Sequence, residues 1–366
     1  MTIISATVYQ IDIPLRQPFT TSFGTITTRP TIIVKAETSD GLIGWGEAAP
    51  LAFPIYKPET VAFAMITLQD YLAPLILGKE FQSIEDFNSL YQSIKGNYFA
   101  KTGFETAAWM LLALERNVSI SQLIGGTKKQ IETGISVGIG SVSEIFDKIE
   151  TGLAAGTKRI KLKIRPDWDL ELVKQVRTTF GDIPLMVDAN SAYTLADIEL
   201  FKKLDTYRLL MIEQPLADDD IIDHSVLQQK LETPICLDES ISSVEDARRA
   251  IYLKACKIIN IKPGRVGGLL ETKKIHDLCQ QNNVGVWCGG MMESGIARAF
   301  NIATASQTNY IYPADMDETL SYFTDDVLHT GYHIANGLVE VPAETGLGFM
   351  IDEEKIIHYT TQTLRL

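Results

Sequence analysis

Basic residues are the minority charge in this chain, with 33 Lys and Arg against 46 Asp and Glu for a net charge of −13. Nucleic-acid binding rests on cations that neutralise phosphates, so this balance argues against a nucleic-acid partner. Long apolar runs are missing as well. No stretch of about 18 apolar residues occurs, and the start MTIISATVYQIDIPL lacks a basic segment leading into an apolar block and a small-residue cleavage site. The expectation is a soluble, cytoplasmic protein with no membrane partner. Cysteine is scarce: Cys236, Cys256, Cys279 and Cys288 lie in apolar or amphipathic runs without Cys-x-x-Cys spacing, and they read as buried thiols. The five histidines are scattered, none with a second His or Cys at ligand spacing, which argues against zinc.

What is present is a large apolar inventory, 45% of 366 residues, enough for more than one core. The second half repeats one unit, a short apolar run that ends in a polar residue or glycine and is followed by a helical pattern. The runs are TGISVGI, RIKLKI, PLMVDAN, LLMIEQP, PICLDES, KIINIKP, VGVWCGG and YIYPADM, starting about every 25 residues from Thr133 to Tyr310. Their Val/Ile/Leu content fits strands buried on both faces of a parallel sheet. Segments between them, such as SVSEIFDKIETGLAAG, open on Ser or Asp and carry helical apolar spacing. Eight such units predict an α/β protein with a (β/α)8-type barrel of roughly 200 residues.

The first part of the chain reads differently. Alternating strands joined at Ser39-Asp40-Gly41 give a hairpin signal, and helical stretches including FETAAWMLLALERN follow. The predicted division is an α+β capping domain over 1–128, the barrel over 129–322, and a segment over 323–366 that returns to the cap.

In a parallel barrel the C-terminal strand ends face the active-site mouth. Those ends carry Lys161 and Lys163, then Asp188 and Asn190, Glu213, Asp238 and Glu239, Lys262, and finally Glu293 just past the seventh run. Asp188, Glu213 and Asp238 occupy equivalent positions on three adjacent strands. Bare carboxylates there would repel one another, whereas a hard dication with oxygen ligands relieves both the repulsion and the desolvation. Mg2+ is the natural choice, with Mn2+ able to substitute. Taken singly, each acid could instead be a helix N-cap.

Lys161 and Lys163 are two apart, so both leave the same strand face. At about 7 Å and an effective dielectric near 20 they repel by roughly 2 kcal/mol, which with a dication nearby predicts a depressed lysine pKa suited to a base. Lys262 ends the strand roughly opposite, so two lysines flank the proposed metal. Asn190 and Glu239 read as groups that orient a ligand or a lysine, and Glu293 is a further candidate. The glycines of KPGRVGG and CGGMMESG, Gly290 among them, would let substrate approach the backbone.

These residues together resemble the enolase superfamily, and within it the muconate-lactonizing-enzyme subgroup. The motifs K-L-K, D-A-N, E-Q-P, D-E-S and N-I-K-P appear in order at barrel spacing, and the match covers the whole chain. The resemblance implies Asp188, Glu213 and Asp238 as magnesium ligands, Lys163 and Lys262 as the two catalytic bases, and Lys161 as their neighbour in K-x-K. It implies removal of a proton α to a carboxylate. The runs IKPGRVGG and GGMMESGIARAFNIATASQTNYIYPADM, with TGISVGI around Ser136, are similar to the branch of o-succinylbenzoate synthases and N-succinylamino-acid racemases. Met110 departs from the W-D-L run usual in the cap.

That branch implies a lyase of menaquinone synthesis acting on a small carboxylate, with racemisation of N-acyl amino acids as the alternative and dipeptide epimerisation as a further one. A non-catalytic metal-binding barrel would have lost a base or a ligand, and all five positions are filled. By the same resemblance the cap loops PFTTSFG and AAPLAFPIY close over the mouth. Phe19, Phe23, Phe53 and Tyr56 would then line a lid, or else pack a domain interface. Ser136, Arg265 and Gly290 complete the candidate substrate contacts, with Arg265 expected to lower the pKa of Lys262. Barrels of this kind associate, so a homo-oligomer is expected.

Overall fold

A computed structural model describes residues 1–21 and 24–366, with side chains assigned outside 18–26. Phe23 and the side chain of Phe19 therefore lie outside the described residues. The N-terminal part forms β1 (Ile3–Thr21), β2 (Gly24–Thr38) and β3 (Ile43–Ala48), joined on the far edge of β1 by the last strand of the chain, β14 (Thr360–Arg365). All pairings in this sheet are antiparallel. A register shift against β14 at Gln10/Ile11 changes which residues of β1 face the core, from Ala6 and Val8 to Ile11 and Ile13.

The helix Tyr98–Glu115 lies on this sheet, and glycine allows the approach. A Cβ on Gly46 would stand 2.1 Å from the Gly103 carbonyl oxygen. That contact explains why the FETAAWMLLALERN segment is apolar on most sides, since it is covered by the sheet on one face and the barrel on another.

The barrel strands are β4 (Gln130–Val137), β5 (Ile160–Lys163), β6 (Leu185–Asp188), β7 (Ile212–Glu213), β8 (Ile235–Leu237), β9 (Ile258–Ile261), β10 (Gly285–Cys288) and β11 (Ala314–Asp315). β4 to β10 are parallel in order, β11 pairs with β4, and a Val286–Tyr310 bridge brings the chain before β11 beside β10, which closes the ring. The eighth unit departs from the expected repeat: among the described residues the short helix Thr319–Tyr322 is the only one between β11 and β12. β12 (Ile334–Ala335) and β13 (Leu338–Glu340) then return, with β13 antiparallel to β4. Met186, Met211, Cys236, Ile258 and Trp287 fill the barrel axis, and all four cysteines are buried and free. Among the described residues no helix is long and apolar enough to cross a membrane.

Cap and barrel are tied by buried hydrogen bonds at helix starts. Glu105, fully buried on the cap helix, accepts from the backbone N–H groups of Leu269 and Leu270 at 2.8 Å and from Trp109 Nε1 at 2.7 Å. The two amides begin the barrel helix Leu269–Gln281, whose first N–H groups have no partner within the helix. Burial raises the Glu105 carboxyl to about 7 against these donors. Because the folded value lies above the ordinary one, this group's contribution to stability is present below about pH 4.5 and fades as pH rises towards 7. In urea unfolding, Glu105→Gln should gain on wild type by on the order of 3 kcal/mol between those limits. Glu105→Ala should destabilise by about 3 kcal/mol below about pH 4.5, because it strands buried donors, and by progressively less as pH rises towards 7, because only the wild type loses stability over that range. A wild-type/Gln difference that is flat with pH would refute the assignment.

Candidate active site

The strand register sets the mouth. Lys163 on β5 pairs with Asp188 on β6, and Asp188 with Glu213 on β7, so these side chains leave the barrel at one level. Asp238 follows the end of β8 and Lys262 the end of β9, and all except Lys163 are buried. Lys163 Nζ lies 2.6 Å from Asp188 Oδ2 and 2.5 Å from Asn190 Oδ1, and Asn190 donates in turn to Glu239 at 2.9 Å. On the other side Lys262 Nζ donates to Asp238 Oδ2 at 2.8 Å. The two lysines thus approach the carboxylates from opposite sides, with Glu213 between.

Among the described residues no three Asp, Glu, His or Cys side chains converge into a ligand set as they stand. The reason is visible in their partners: Asp188 is turned to Lys163, while Asp238 is turned to Lys262 and Arg265. Glu213 is different. One of its oxygens accepts from Asn260 at 2.8 Å, and the other is buried with no hydrogen-bond partner. Burial and the neighbouring Asp188 both raise its carboxyl. Carboxylates on adjacent strands, one with an orphaned oxygen, suit a hard cation better than any arrangement of protein donors alone.

Two electrostatic expectations are corrected. The protein's own groups, taken by themselves, hold Lys161 and Lys262 above lysine's ordinary value, whereas the expectation that counted a nearby dication put the lysines below it. Burial opposes their charge, but Asp315, Glu213 and Asp188 outweigh it at Lys161, and Tyr56, Glu239 and Glu213 outweigh it at Lys262. Repulsion between lysines about 7 Å apart loses to carboxylates at 3.6 Å. Arg265 is neither at the rim nor open to substrate. It is buried, with its guanidinium on Asp238, the Asn260 carbonyl at 2.6 Å and the Ile241 carbonyl at 2.7 Å, so its charge is already matched.

Other expected contacts are redistributed. Glu293 reaches no lysine or proposed ligand; it pairs with Arg298 at 3.2 Å and accepts from Asn301. Gly290 leaves room for Arg298, since a Cβ there would meet that guanidinium at 2.5 Å. Ser136, beside Lys161 in the β4–β5 pairing, donates to Asp315 at 3.5 Å. Tyr56 does reach the site: its hydroxyl donates to Asp238 at 3.3 Å and accepts from Lys262 and Arg265, each at 3.2 Å. Phe53 stands in the same loop, 62% exposed and clear of the carboxylates' partners.

Several residues join the site without having been singled out. Asp315, at the end of β11, ion-pairs with Lys161 and Arg159; it ends the YIYPADM run as Asp188 ends PLMVD, so the strand-end rule could have found it. Asn260 lies two residues before Lys262 on the same strand face. Lys57 donates to the Glu239 carbonyl at 2.6 Å and pairs with Asp218 at 2.9 Å, which fastens the Tyr56 loop to the barrel. Buried Arg29 holds the start of that loop through the Ala49 and Pro50 carbonyls and reaches Met291 on the barrel side. No local pattern marks either cation.

Family comparisons bear on this geometry. Residues 3–125 match the mandelate racemase / muconate lactonizing enzyme N-terminal domain, and residues 144–355 match the enolase C-terminal domain-like family. The chain belongs to the enolase superfamily. Its relatives include o-succinylbenzoate synthase of Geobacillus kaustophilus, 46% identical over 351 residues, 96% of this chain and 94% of the relative. N-succinylamino acid racemase of Thermus thermophilus is 39% identical over 349 residues, 95% and 94% of the two chains. A superfamily member from Listeria innocua, solved by crystallography, superposes with a TM-score of 0.97 at 36% identity, covering 100% of this chain and 99% of the other. Enzymes of this superfamily are metal-dependent.

The Lys57 contacts generate a direct expectation. A half-exposed ion pair with one carbonyl bond is worth about 1 kcal/mol, or roughly fivefold in loop opening. Lys57→Met should therefore raise the rate of limited proteolysis within residues 51–57 about fivefold, with global unfolding unchanged. Digestion at the wild-type rate would show that Tyr56 and Arg29 hold the loop without it.

Proposed function

We propose that this chain is an o-succinylbenzoate synthase of menaquinone synthesis, dehydrating 2-succinyl-6-hydroxy-2,4-cyclohexadiene-1-carboxylate to 2-succinylbenzoate. The observation that carries the reading is likeness over nearly the full length of both chains to relatives of that name. The site chemistry agrees with it. A Mg2+ ion held by Asp188, Glu213 and Asp238, with Mn2+ able to substitute, would supply Lewis-acid stabilisation of charge on the substrate carboxylate. Lys163, oriented by Asn190, takes the proton α to that carboxylate. The carbon–oxygen bond to the ring hydroxyl then breaks, and Lys163 returns its proton to the departing oxygen, so that water leaves and the ring becomes aromatic. Lys262 faces the reacting carbon from the other side as a fixed cation. Tyr56 and Lys57 keep the cap loop over the mouth and exclude water. We assign the cap to 1–128, the barrel to 129–322 and the returning segment to 323–366, in a cytoplasmic homo-oligomer.

A second activity, racemisation of N-succinyl amino acids, is favoured by the relatives that carry that name and by the lysine on each side of the carboxylates. The proton removed by Lys163 would be replaced by one from Lys262 on the opposite face.

Lys163→Ala should lower kcat by 10²- to 10⁴-fold with the circular dichroism spectrum retained; a loss of less than about tenfold would remove Lys163 from the role of base. The two activities separate at Lys262. Lys262→Arg keeps a cation but makes a poor proton donor, so part of the dehydration should survive while racemisation nearly vanishes. The assignment is decided by kcat/KM of the wild type on both substrates. Efficient racemisation with no dehydration above background would replace the synthase reading with the racemase.

A further inference from the structure

Asp315 is gripped by two cations that the proposed reaction leaves without a task of their own. One carboxylate oxygen accepts from Arg159 and the other from Lys161, and its side chain is 14% exposed. Arg159 is wholly buried just before β5, with its guanidinium 4.4 Å over the Trp287 ring. β4 lies between β5 and β11, and a side chain at Gly134 would block the path: a Cβ there would stand 2.5 Å from Arg159 Nε. The missing side chain lets Arg159 pass across β4 to Asp315. Burial favours a neutral carboxyl at Asp315, yet Arg159 and Lys161 hold it well below the usual carboxylate range.

Lys161 has a second set of neighbours. Its Nζ lies 3.6 Å from Asp188 Oδ2 and 3.6 Å from Glu213 Oε2, just beyond hydrogen-bonding distance of either. That Glu213 oxygen is the buried one without a partner. A four-carbon stem can move an ammonium by about 1 Å at little cost, so without another counter-ion Lys161 would settle onto those two carboxylates.

We propose that Asp315 is a positioning residue: anchored by Arg159, it draws the Lys161 ammonium to the β11 side of the barrel and keeps Asp188 and Glu213 open to a divalent cation. This rests on the reading that Asp188, Glu213 and Asp238 hold that cation. Asp315 touches neither substrate nor metal in this account; it acts through Lys161.

The test is direct metal binding by the full-length protein, stripped with chelator and titrated with Mn2+ by calorimetry or electron paramagnetic resonance, with no substrate present. Asp315→Asn should weaken Mn2+ binding by ten- to a hundredfold, the usual scale for groups that orient a metal site from behind. Adding Lys161→Met to Asp315→Asn should restore affinity to within severalfold of wild type, because the intruding ammonium is gone. A merely structural Asp315 would leave the double variant as weak as the single one, and that result overturns the proposal, as does unchanged affinity in Asp315→Asn. Should Asp315→Asn not fold, Asp315→Ser takes its place under the same pair of outcomes: weakened Mn2+ binding that Lys161→Met restores supports the proposal, and unchanged affinity or no restoration overturns it. A wild type that binds Mn2+ but dehydrates nothing ends the synthase reading and leaves this inference standing.

Discussion

A carboxylate taken out of water must find compensating charge or donors, and the barrel mouth is organised around that requirement. Asp188, Glu213 and Asp238 are buried, and Asp315 is nearly so. Lysines 161, 163 and 262 and arginines 159 and 265 are the positive groups that face them. Each charge is set by a strand end, so the balance holds only when the ring is closed and in register. Among the described residues, Glu213, Glu239 and Asn260 each keep one buried oxygen without a partner, which marks where the protein's own donors run out. In the proposed reading, a dication at this point would supply the missing charge and stabilise the charge that develops on a deprotonated substrate.

The cap answers the same constraint from outside. Its carboxylates are buried against the starts of barrel helices, Glu105 at Leu269 and Leu270, and Glu47 at Ser294 and Ala297. Helix N-termini carry partial positive charge and unpaired donors, so these contacts compensate both partners at once. With the cap fixed to two barrel helices, Arg29 can hold the loop that carries Tyr56, and the Tyr56 hydroxyl reaches Asp238 and Lys262. The loop is thus held at its start by buried Arg29 and further along by its own Tyr56 and Lys57 on the barrel.

In the proposed reading one apparatus could serve a lyase and a racemase, because both would begin with one proton leaving a carbon beside a carboxylate. What separates them is the demand on the lysine of the far face. As a bystander cation it would need only to be charged, and Tyr56, Glu239 and Glu213 favour that charge against burial. As a proton donor it must also lose that charge in turn, which those neighbours resist. In the proposed reading, the balance at Lys262 is where the two chemistries would diverge.

The barrel was legible in the sequence because its signal is local and repeated: the apolar runs and their helical successors announce parallel strands wherever they occur. Asp188, Glu213, Asp238 and Lys262 could be read for the same reason, each standing at one offset from its own strand. Three things were not legible. The partner of Lys161 proved to be Asp315, 154 residues away and adjacent only once the ring has closed. Arg265 turned inward onto Asp238, and Tyr56, expected over the mouth, took that same carboxylate as its partner. The direction of the lysine shifts followed from these pairings, since charges at hydrogen-bonding distance outweigh a like charge two residues along the strand. Strand identity is written into consecutive residues. Which buried charge meets which depends on distances across a closed ring, and those exist only in the folded chain.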